Sequence, residues 1–414
     1  VVVVGLGYVG VPLAIEAAKA GFKVSGLDVD EAKVSLLAKG QTDLIDVDVA
    51  ALGDLLKQGV LRPTTDPTCL AEADVVVICV PTPLRQELPD MSYIESAADQ
   101  IAKHLQRGQL IILESTTYPG TTEELLLGKL EASGLKAGID FHLGFSPERI
   151  DPGNESFGLA NVPKIIGGID EKSTDMMDAF YSSFVGSVVR VSSPRTAEMA
   201  KLLENTYRHV NIALVNEIAI LCHDLGIDVW EVIDAAATKP FGFQPFYPGP
   251  GWGGHCIPVD PAYLSWRVRQ MGATARFVEL AREFNQKMPE YVVQRITEAL
   301  NDSGKSLKGS KVLVLGVAYK AGVGDVRESP AIEIIERLRK AGADAGFNDP
   351  HVPSLELKSG ALRSTDLSEL SAFDLVVVHT DHPDYDWQAI GEAARLVLDT
   401  RNALKGSPGN IVKL

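Results

Sequence analysis

One stretch of the sequence sets a thiol among glycines: Gly251-Trp252-Gly253-Gly254-His255-Cys256-Ile257-Pro258-Val259-Asp260. Glycine lets a backbone come close to a ligand and adopt conformations closed to other residues. A thiol in such a place suits a nucleophile, and the carboxylate four residues on, Asp260, could steer a proton or a water. The same stretch also reads as a glycine-rich turn over a buried cysteine, a residue type found inside more often than most. Upstream, Glu198, Lys201, Asn205 and Arg208 recur at steps of three or four, which places them on one face of a helix. The ordinary reading is a solvated face with ion pairs. Asn205 beside Lys201 departs from it, because neither a salt bridge nor helix propensity calls for an asparagine there.

A second constellation stands at the start of the chain. Val1 to Val4 is an apolar β-branched run, read as a buried parallel strand. Gly5-Leu6-Gly7-Tyr8-Val9-Gly10 follows, then a helical pattern from Leu13 to Ala20, then a strand from Lys23 to Leu27 ending at Asp28. This is a dinucleotide fingerprint in its expected context. Gly5 permits the tight turn, Gly7 admits the pyrophosphate, Gly10 lets helix and strand pack, and the helix start offers N–H groups to phosphate. Asp28 would accept hydrogen bonds from the ribose and repel a 2′-phosphate, favouring NAD over NADP. Lys33 either serves the adenosine end or is an ordinary helix charge.

The elements that must position these groups alternate. Strand signals at Val75 to Val80, Leu110 to Glu114 and Phe141 to Phe145 are separated by helical stretches, the pattern of a doubly wound α/β sheet. Ligands bind beyond the carboxyl ends of such strands. Three polar loops fall there: Val80 to Pro83, Glu114 to Thr117, and Ser146 to Arg149. From about Thr196 the pattern becomes helical, with a long helix over Ala197 to Asp224 and shorter ones over Val229 to Ala237, Pro261 to Met271, Ala275 to Lys287 and Pro289 to Asp302. The aromatic, proline-rich run Phe241 to Pro250 leads into the cysteine stretch, either as a satellite core or as a stacking surface for a base or sugar. Cys222 is expected in the core.

After a linker at Lys308 to Ser310, the strand Lys311 to Leu315 and the turn Gly316-Val317-Ala318-Tyr319-Lys320 echo the start of the chain without its second and third glycines. Strands at Leu375 to His379 and Leu396 to Leu398 complete a second unit. Its strand ends carry Lys320, Asp325, Arg327 and Arg401, and three cations there suit an anionic ligand. The alternative is a salt-bridged loop, above all for Arg327 beside Glu328. The fold class expected is therefore α/β: two Rossmann-type doubly wound domains joined by a long central helix and a helical linker domain.

The totals bound the function. A chain of 414 residues suggests two or three domains. A net charge of -16 argues against nucleic acid as a main partner. Cys69, Cys79, Cys222 and Cys256 are few and scattered, which speaks against a disulfide framework or a zinc site; no metal is expected. No apolar run reaches the ~18 residues of a membrane span. No signal peptide is visible, and the few, scattered cysteines fit a reducing cytoplasm, which is the expected location.

In this order and spacing, several motifs resemble the UDP-glucose/GDP-mannose dehydrogenase family along essentially the whole chain. They are GLGYVG from Gly5, EST from Glu114, SPER from Ser146, the Lys201/Asn205 helix, GGHCIPVD from Gly253, YKAGVGDVRESPA from Tyr319 and DTR from Asp399. The resemblance implies oxidation of the C6 hydroxyl of a nucleotide sugar to a carboxylate with two NAD⁺ and one water. It implies Cys256 as nucleophile, forming a thiohemiacetal and then a thioester. Lys201 and Asn205 would stabilise the oxyanion, Asp260 with Thr116 would position a water, and Glu148 would serve thioester hydrolysis; which residue is the general base stays open. It implies cofactor contacts at Gly5, Gly7, Tyr8, Val9, Gly10, Asp28, Lys33, Thr82, Thr116 and Arg327. Substrate contacts are implied at Glu148, Lys201, Asn205, Phe246, Tyr247, Gly253, Lys320 and Arg401, with Arg149 and Arg208 as guesses for the acetamide. The division implied is a NAD-binding domain over 1–195, a central helical domain over 196–305 and a UDP-sugar-binding domain over 306–414.

His255 and Val259, where serine and lysine are typical of members acting on UDP-glucose and GDP-mannose, resemble the branch acting on UDP-N-acetylhexosamines. Pro258 and the run Ser115 to Glu124 lean toward UDP-N-acetylglucosamine over UDP-N-acetylmannosamine. UDP-glucose remains an alternative sugar. A two-electron dehydrogenase of the 6-phosphogluconate or β-hydroxyacid type, and a non-catalytic nucleotide-sugar binder, are the more distant alternatives. The family also implies a homodimer or higher homo-oligomer through the central helix.

Overall fold

The computed structural model describes residues 1–44, 47–86, 88–149, 158, 161–254, 257–405 and 409–414. By its contacts the chain divides into two compact units, Val1–Glu204 with Ala262–Ala273, and Asn205–Pro261 with Thr274–Leu414.

The first unit is built on strands β1 (Val2–Val4), β2 (Val24–Leu27), β3 (Leu61–Thr64), β4 (Val75–Ile78), β7 (Leu110–Leu113), β8 (His142–Phe145), β9 (Lys164–Gly168) and β10 (Val188–Arg190), with a small hairpin of β5 (Leu84–Arg85) and β6 (Leu88–Pro89). Their order in the sheet is β10-β9-β8-β7-β4-β1-β2-β3. From β3 to β8 all pairs are parallel; β9 meets β8 antiparallel. The order reverses between β1 and β4, and such a switch point is where a doubly wound sheet opens a crevice. Helices α1 (Gly10–Lys19), α2 (Glu31–Ala38), α3 (Val49–Lys57), α4 (Ser92–His104), α5 (Leu127–Glu131) and α6 (Glu171–Tyr181) accompany it. The pleat sorts the core: Val3, Val77 and Ile112 face one apolar layer, while Val2, Val4, Val76, Ile78 and Ile111 face the other.

Helix α7 (Pro194–Leu225) runs without a break, somewhat longer than the apolar spacing predicts. Its residues to Glu204 group with the first unit and the rest with the second. The second unit contains α8 (Val229–Ala237) and α10 (Arg276–Asp302) and the parallel sheet β12-β11-β15-β16-β17, made of β11 (Lys311–Leu315), β12 (Asp344–Asn348), β15 (Leu375–Val378), β16 (Val397–Asp399) and β17 (Ile411–Lys413). A hairpin of β13 (Ser354–Leu357) and β14 (Gly360–Arg363), with α11 (Pro330–Lys340) and α12 (Trp387–Ala393), completes it. Helix α9 (Asp260–Gln270) follows the cysteine stretch. Among the described residues no helix is long and apolar enough to cross a membrane.

Two sequence expectations change. The expected helices Ala275 to Lys287 and Pro289 to Asp302 are one helix, α10, with Pro289 inside it. Proline forfeits a hydrogen bond to the carbonyl four residues back, here that of Asn285, but Met288, Val292 and Ile296 are buried in the core of the second unit and hold the helix through the defect. Strand β3 was hidden in the sequence by Pro63. It lies at the sheet edge, where a missing N–H is tolerated.

Candidate active site

At the crevice of the first unit the backbone is shaped for a phosphate. Gly5 has φ +94°, and a Cβ there would sit 2.6 Å from the Cys79 carbonyl oxygen. A Cβ on Gly10 would overlap the Gly5 carbonyl, whereas one on Gly7 would meet nothing within 4 Å. Gly5 and Gly10 are therefore required by the fold, and Gly7 lies on the open side. Helix α1 begins at Gly10, and its N-cap, Val9, gives no side-chain hydrogen bond to the helix start. Tyr8 between them is partly exposed. Asp28 closes the second strand. One carboxylate oxygen accepts from Leu6 N at 2.8 Å and Lys33 Nζ at 3.2 Å, the other from Asp30 N at 3.0 Å. A carboxylate offers about four lone-pair positions, so Asp28 retains capacity for a ribose hydroxyl. The open turn, uncapped helix and buried acid fit a dinucleotide. Lys33 steadies Asp28.

The three polar loops follow the adjacent strands β4, β7 and β8, so they are neighbours. Ser115 Oγ donates to the Val80 carbonyl at 2.7 Å and ties the first two together. Thr82 and Thr116 are half-buried there. In the third loop Glu148 accepts from the Arg149 backbone N–H at 2.8 Å and pairs with Lys164 Nζ at 3.3 Å. The Arg149 guanidinium lies 2.7 Å from Glu204 and donates to the Pro163 carbonyl at 2.7 Å.

On α7, Glu198 is not the solvated charge that spacing suggests. It is buried and caps the turn after β7, accepting from Gly120 N at 2.5 Å and from Thr122 N and Oγ1 at 2.9 and 2.7 Å. Burial raises its carboxyl above the usual range, and these donors oppose that. Lys201, one turn on, is buried without a hydrogen bond or ion pair to any described residue. Arg208 is exposed.

Asn205 and Asp260 belong to the second unit. The Asn205 Nδ2 donates to Asp260 Oδ2, linking α7 to the first residue of α9. His255 and Cys256 lie outside the described residues, but the approach to them is described. Gly249 N donates to Asn216 Oδ1 at 3.0 Å, and Gly254 N to the Arg327 carbonyl at 3.0 Å. Trp252 stacks on His209 with centroids 4.5 Å apart. Gly254 has φ +83°, and a Cβ there would press within 2.9 Å of the Tyr319 ring; one on Gly253 would lie 2.5 Å from Tyr319 Cβ. Phe246 packs on a small core with Val215, Ala219, Cys222 and Trp230, and Tyr247 stacks on Trp230 with its hydroxyl 2.9 Å from Asp234. Phe246 is thus satellite core, while Tyr247 lies on Trp230 with part of its ring exposed.

Beyond the second sheet, Arg401 Nε donates to the His379 carbonyl at 2.8 Å, and Lys320 is half-buried in the loop after β11. Arg327 forks onto Asp325, with Nη2 2.5 Å from its carboxylate, rather than onto Glu328. His351, His382 and Asp384 bring possible metal ligands within 4.8 Å. However, His382 Nδ1 accepts from Gly322 N at 3.1 Å and Nε2 bonds Asp349 at 3.1 Å, which leaves no lone pair for a cation.

Known proteins share this architecture throughout. The NAD binding domain of the UDP-glucose/GDP-mannose dehydrogenase family matches residues 1–185, its central domain residues 195–287 and its UDP binding domain residues 313–406. The chain is 36% identical to the UDP-N-acetyl-D-mannosamine dehydrogenase of Pyrococcus horikoshii, over 99% of this chain and 96% of the relative. A solved structure described as UDP-D-ManNAc dehydrogenase from that organism superposes with a TM-score of 0.91, at 35% identity, covering 100% of this chain and 98% of that one. The UDP-N-acetyl-D-glucosamine 6-dehydrogenase of Pseudomonas aeruginosa is 33% identical over 98% of this chain and 97% of its own. The chain belongs to the UDP-glucose/GDP-mannose dehydrogenase family.

As a member it is an oxidoreductase that takes NAD as cofactor, with a UDP binding domain at its C-terminal end. Sequence reasoning missed Lys164, Tyr181, Asn216 and Asn285. Lys164 opens an apolar strand, while Tyr181, Asn216 and Asn285 stand beside other polar residues, and none of the four names its partner until the fold supplies one.

Proposed function

We propose that this enzyme oxidises the C6 hydroxyl of a UDP-N-acetylhexosamine to the carboxylate in two hydride transfers on one covalently held substrate. The observation that carries this is the Asn205–Asp260 hydrogen bond, which fixes a carboxylate four residues after Cys256 against a helix that also bears Lys201. Bound NAD supplies the hydride acceptor. The chain supplies the rest. Cys256 sulfur adds to the C6 aldehyde, giving a thiohemiacetal; loss of its hydride gives a thioester, which water cleaves to the acid. Lys201 and Asn205 offer a cation and an N–H donor to the oxygen that gains charge. Asp260, with Thr116, orients water, and Glu148 assists its attack. Tyr8, Val9, Thr82 and Arg327 serve the cofactor, and Asp28 selects NAD over NADP. Phe246, Tyr247, Gly253, Lys320 and Arg401 receive the uridine diphosphate. Arg149 and Arg208 are the residues to test for the acetamide.

The motifs around Cys256 support UDP-N-acetylglucosamine as substrate. Similarity to proteins named UDP-N-acetylmannosamine dehydrogenases favours its C2 epimer as a second reading. NADH and acid are to be counted from a panel of both sugars and UDP-glucose. Two NADH per acid from one N-acetylhexosamine, lost in Cys256→Ala, is expected; one NADH per turnover, or full turnover without the thiol, overturns the reading.

Tyr207, Leu214, Leu221 and Leu225 form an exposed apolar stripe on α7. Apolar surface in such a row marks an interaction face, and we assign it to a homodimer, tested by sedimentation of Leu214→Glu. The free Cys69, Cys79 and Cys222, with a thiol nucleophile, suit a reducing cytoplasm.

A further inference from the structure

A buried charged cluster of the first unit lies behind Glu148. Lys164, at the start of β9, places Nζ 3.1 Å from Glu114 Oε1 and 3.3 Å from Glu148 Oε2. Tyr181, at the end of α6, donates its hydroxyl to the same Glu114 oxygen. Glu114 Oε2 is buried with no hydrogen-bond partner. The buried Cys79 thiol lies just past β4, where burial and then the Glu114 charge push it well above the usual thiol range and keep it neutral. Arg149 faces Glu148 with its backbone N–H, while its guanidinium is taken by Glu204 and the Pro163 carbonyl. The described groups around Glu148 are thus one ammonium, a second carboxylate, a phenol and a thiol.

One cation between two carboxylates leaves a negative charge in excess where water is scarce. A buried ion pair is a poor device for stability alone, but groups this close titrate together. Burial opposes the charge on Lys164, and the attraction of Glu114 and Glu148 outweighs it, so the ammonium persists. Burial raises the Glu114 carboxyl, and Lys164 opposes the rise. Of the two acids Glu148 is nearer solvent, its side chain 13% exposed against 0% for Glu114, so Glu148 is the one that can meet water.

We propose that Lys164 is the positioning residue that holds Glu148 as an anion, and that Glu114, by competing for the same ammonium, sets how readily Glu148 takes up a proton. The proposal rests on the reading that Glu148 assists thioester hydrolysis. In that step the water oxygen bonds the thioester carbon as its proton passes to Glu148. The C–S bond then breaks with its electron pair returning to sulfur, which recovers the proton.

The test is the pH dependence of steady-state turnover in the full chain, with saturating NAD and UDP-sugar, together with the pre-steady-state NADH burst. Lys164→Met should move the acidic limb of kcat upward by about one pH unit or more, since an opposite charge at this range lowers a carboxyl by ~1–3 units. Below that limb it should leave a burst of two NADH per subunit before slow turnover, with a Cys256 acyl adduct visible by mass spectrometry after acid quench. Lys164→Arg should restore the wild-type limb. Glu114→Gln should move the limb downward, and KM for the sugar should change less than about threefold in either. A structural role alone would not shift the limb in opposite directions. Shifts of the same sign, or none, with Glu148→Gln still blocked after the burst, overturn the proposal and leave the reading of Glu148 standing. Unimpaired turnover in Glu148→Gln overturns both. If Lys164→Met does not fold, the direction of the Glu114→Gln shift decides.

Discussion

Asn216 and Asn285 meet through their buried side chains, Nδ2 of the first 2.9 Å from Oδ1 of the second. The pair is one link of a longer relay. Asn216 Oδ1 accepts from Gly249 N, and Asn285 Nδ2 donates to the His209 carbonyl at 3.3 Å. The loop that delivers Cys256 is thereby tied to α7 and α10 at the point where Pro289 interrupts the helical ladder.

Replacing Asn216 by leucine leaves Gly249 N–H and Asn285 Oδ1 buried without partners. An unsatisfied buried group costs about 1–3 kcal/mol, so Asn216→Leu should lower the unfolding free energy by at least that amount, seen as an earlier urea midpoint. It should also alter the rate at which iodoacetamide alkylates Cys256. Unchanged stability and labelling would mean that the relay holds nothing.

The glycines of the first turn should separate by role. Gly10→Ala drives a Cβ into the Gly5 carbonyl and should abolish NAD binding by calorimetry, with loss of stability. Gly7→Ala meets no protein atom within 4 Å, so it should fold normally and weaken NAD binding by itself.

Two buried histidines predict acid sensitivity. Burial pushes His209 down to about 4, and burial followed by the Arg401 charge pushes His379 down to about 3. Both are neutral in the fold and protonate near 6.5 when unfolded. Below that value the unfolded state binds more protons, so stability falls with pH at about 1.4 kcal/mol per unit for each residue. The loss should span pH 6.5 to about 4 for His209 and continue toward 3 for His379. Urea titrations across this range should show a shallower slope in His209→Gln.

Glu198→Ala removes the acceptor for Gly120 N–H, Thr122 N–H and the Thr122 hydroxyl in one step. A loss of about 2–4 kcal/mol is expected, as for a buried, multiply bonded charge whose partners are left unpaired, read from the denaturation midpoint.

The sheets were legible in the sequence wherever strands are uniformly apolar, because burial on both faces leaves an unbroken run, as at Val75 to Ile78 and Lys311 to Leu315. Edge strand β3 was not, since its proline and arginine mimic a loop. The glycine turn was legible from spacing, because backbone geometry alone demands those residues. The fate of charges was not. Glu198 and Arg208 share a face by periodicity, yet one caps a buried turn and the other is exposed. Lys164 carries no periodic signal, and only the antiparallel pairing of β9 with β8 brings it to Glu114 and Glu148.

The first unit is not contiguous in the chain. Residues Ala262–Ala273 return to it after the excursion through Asn205–Pro261. There Trp266 packs on Tyr118, the Tyr263 hydroxyl lies 3.4 Å from the Pro83 carbonyl, and Arg267 pairs with Glu124 at 2.5 Å. During translation that surface must wait for the returning segment. At ~5–20 residues per second the delay is roughly 3–14 s. Over that interval the nascent nucleotide-binding half carries an unfinished face, which marks it as the stage of biogenesis where a holdase chaperone has most to protect.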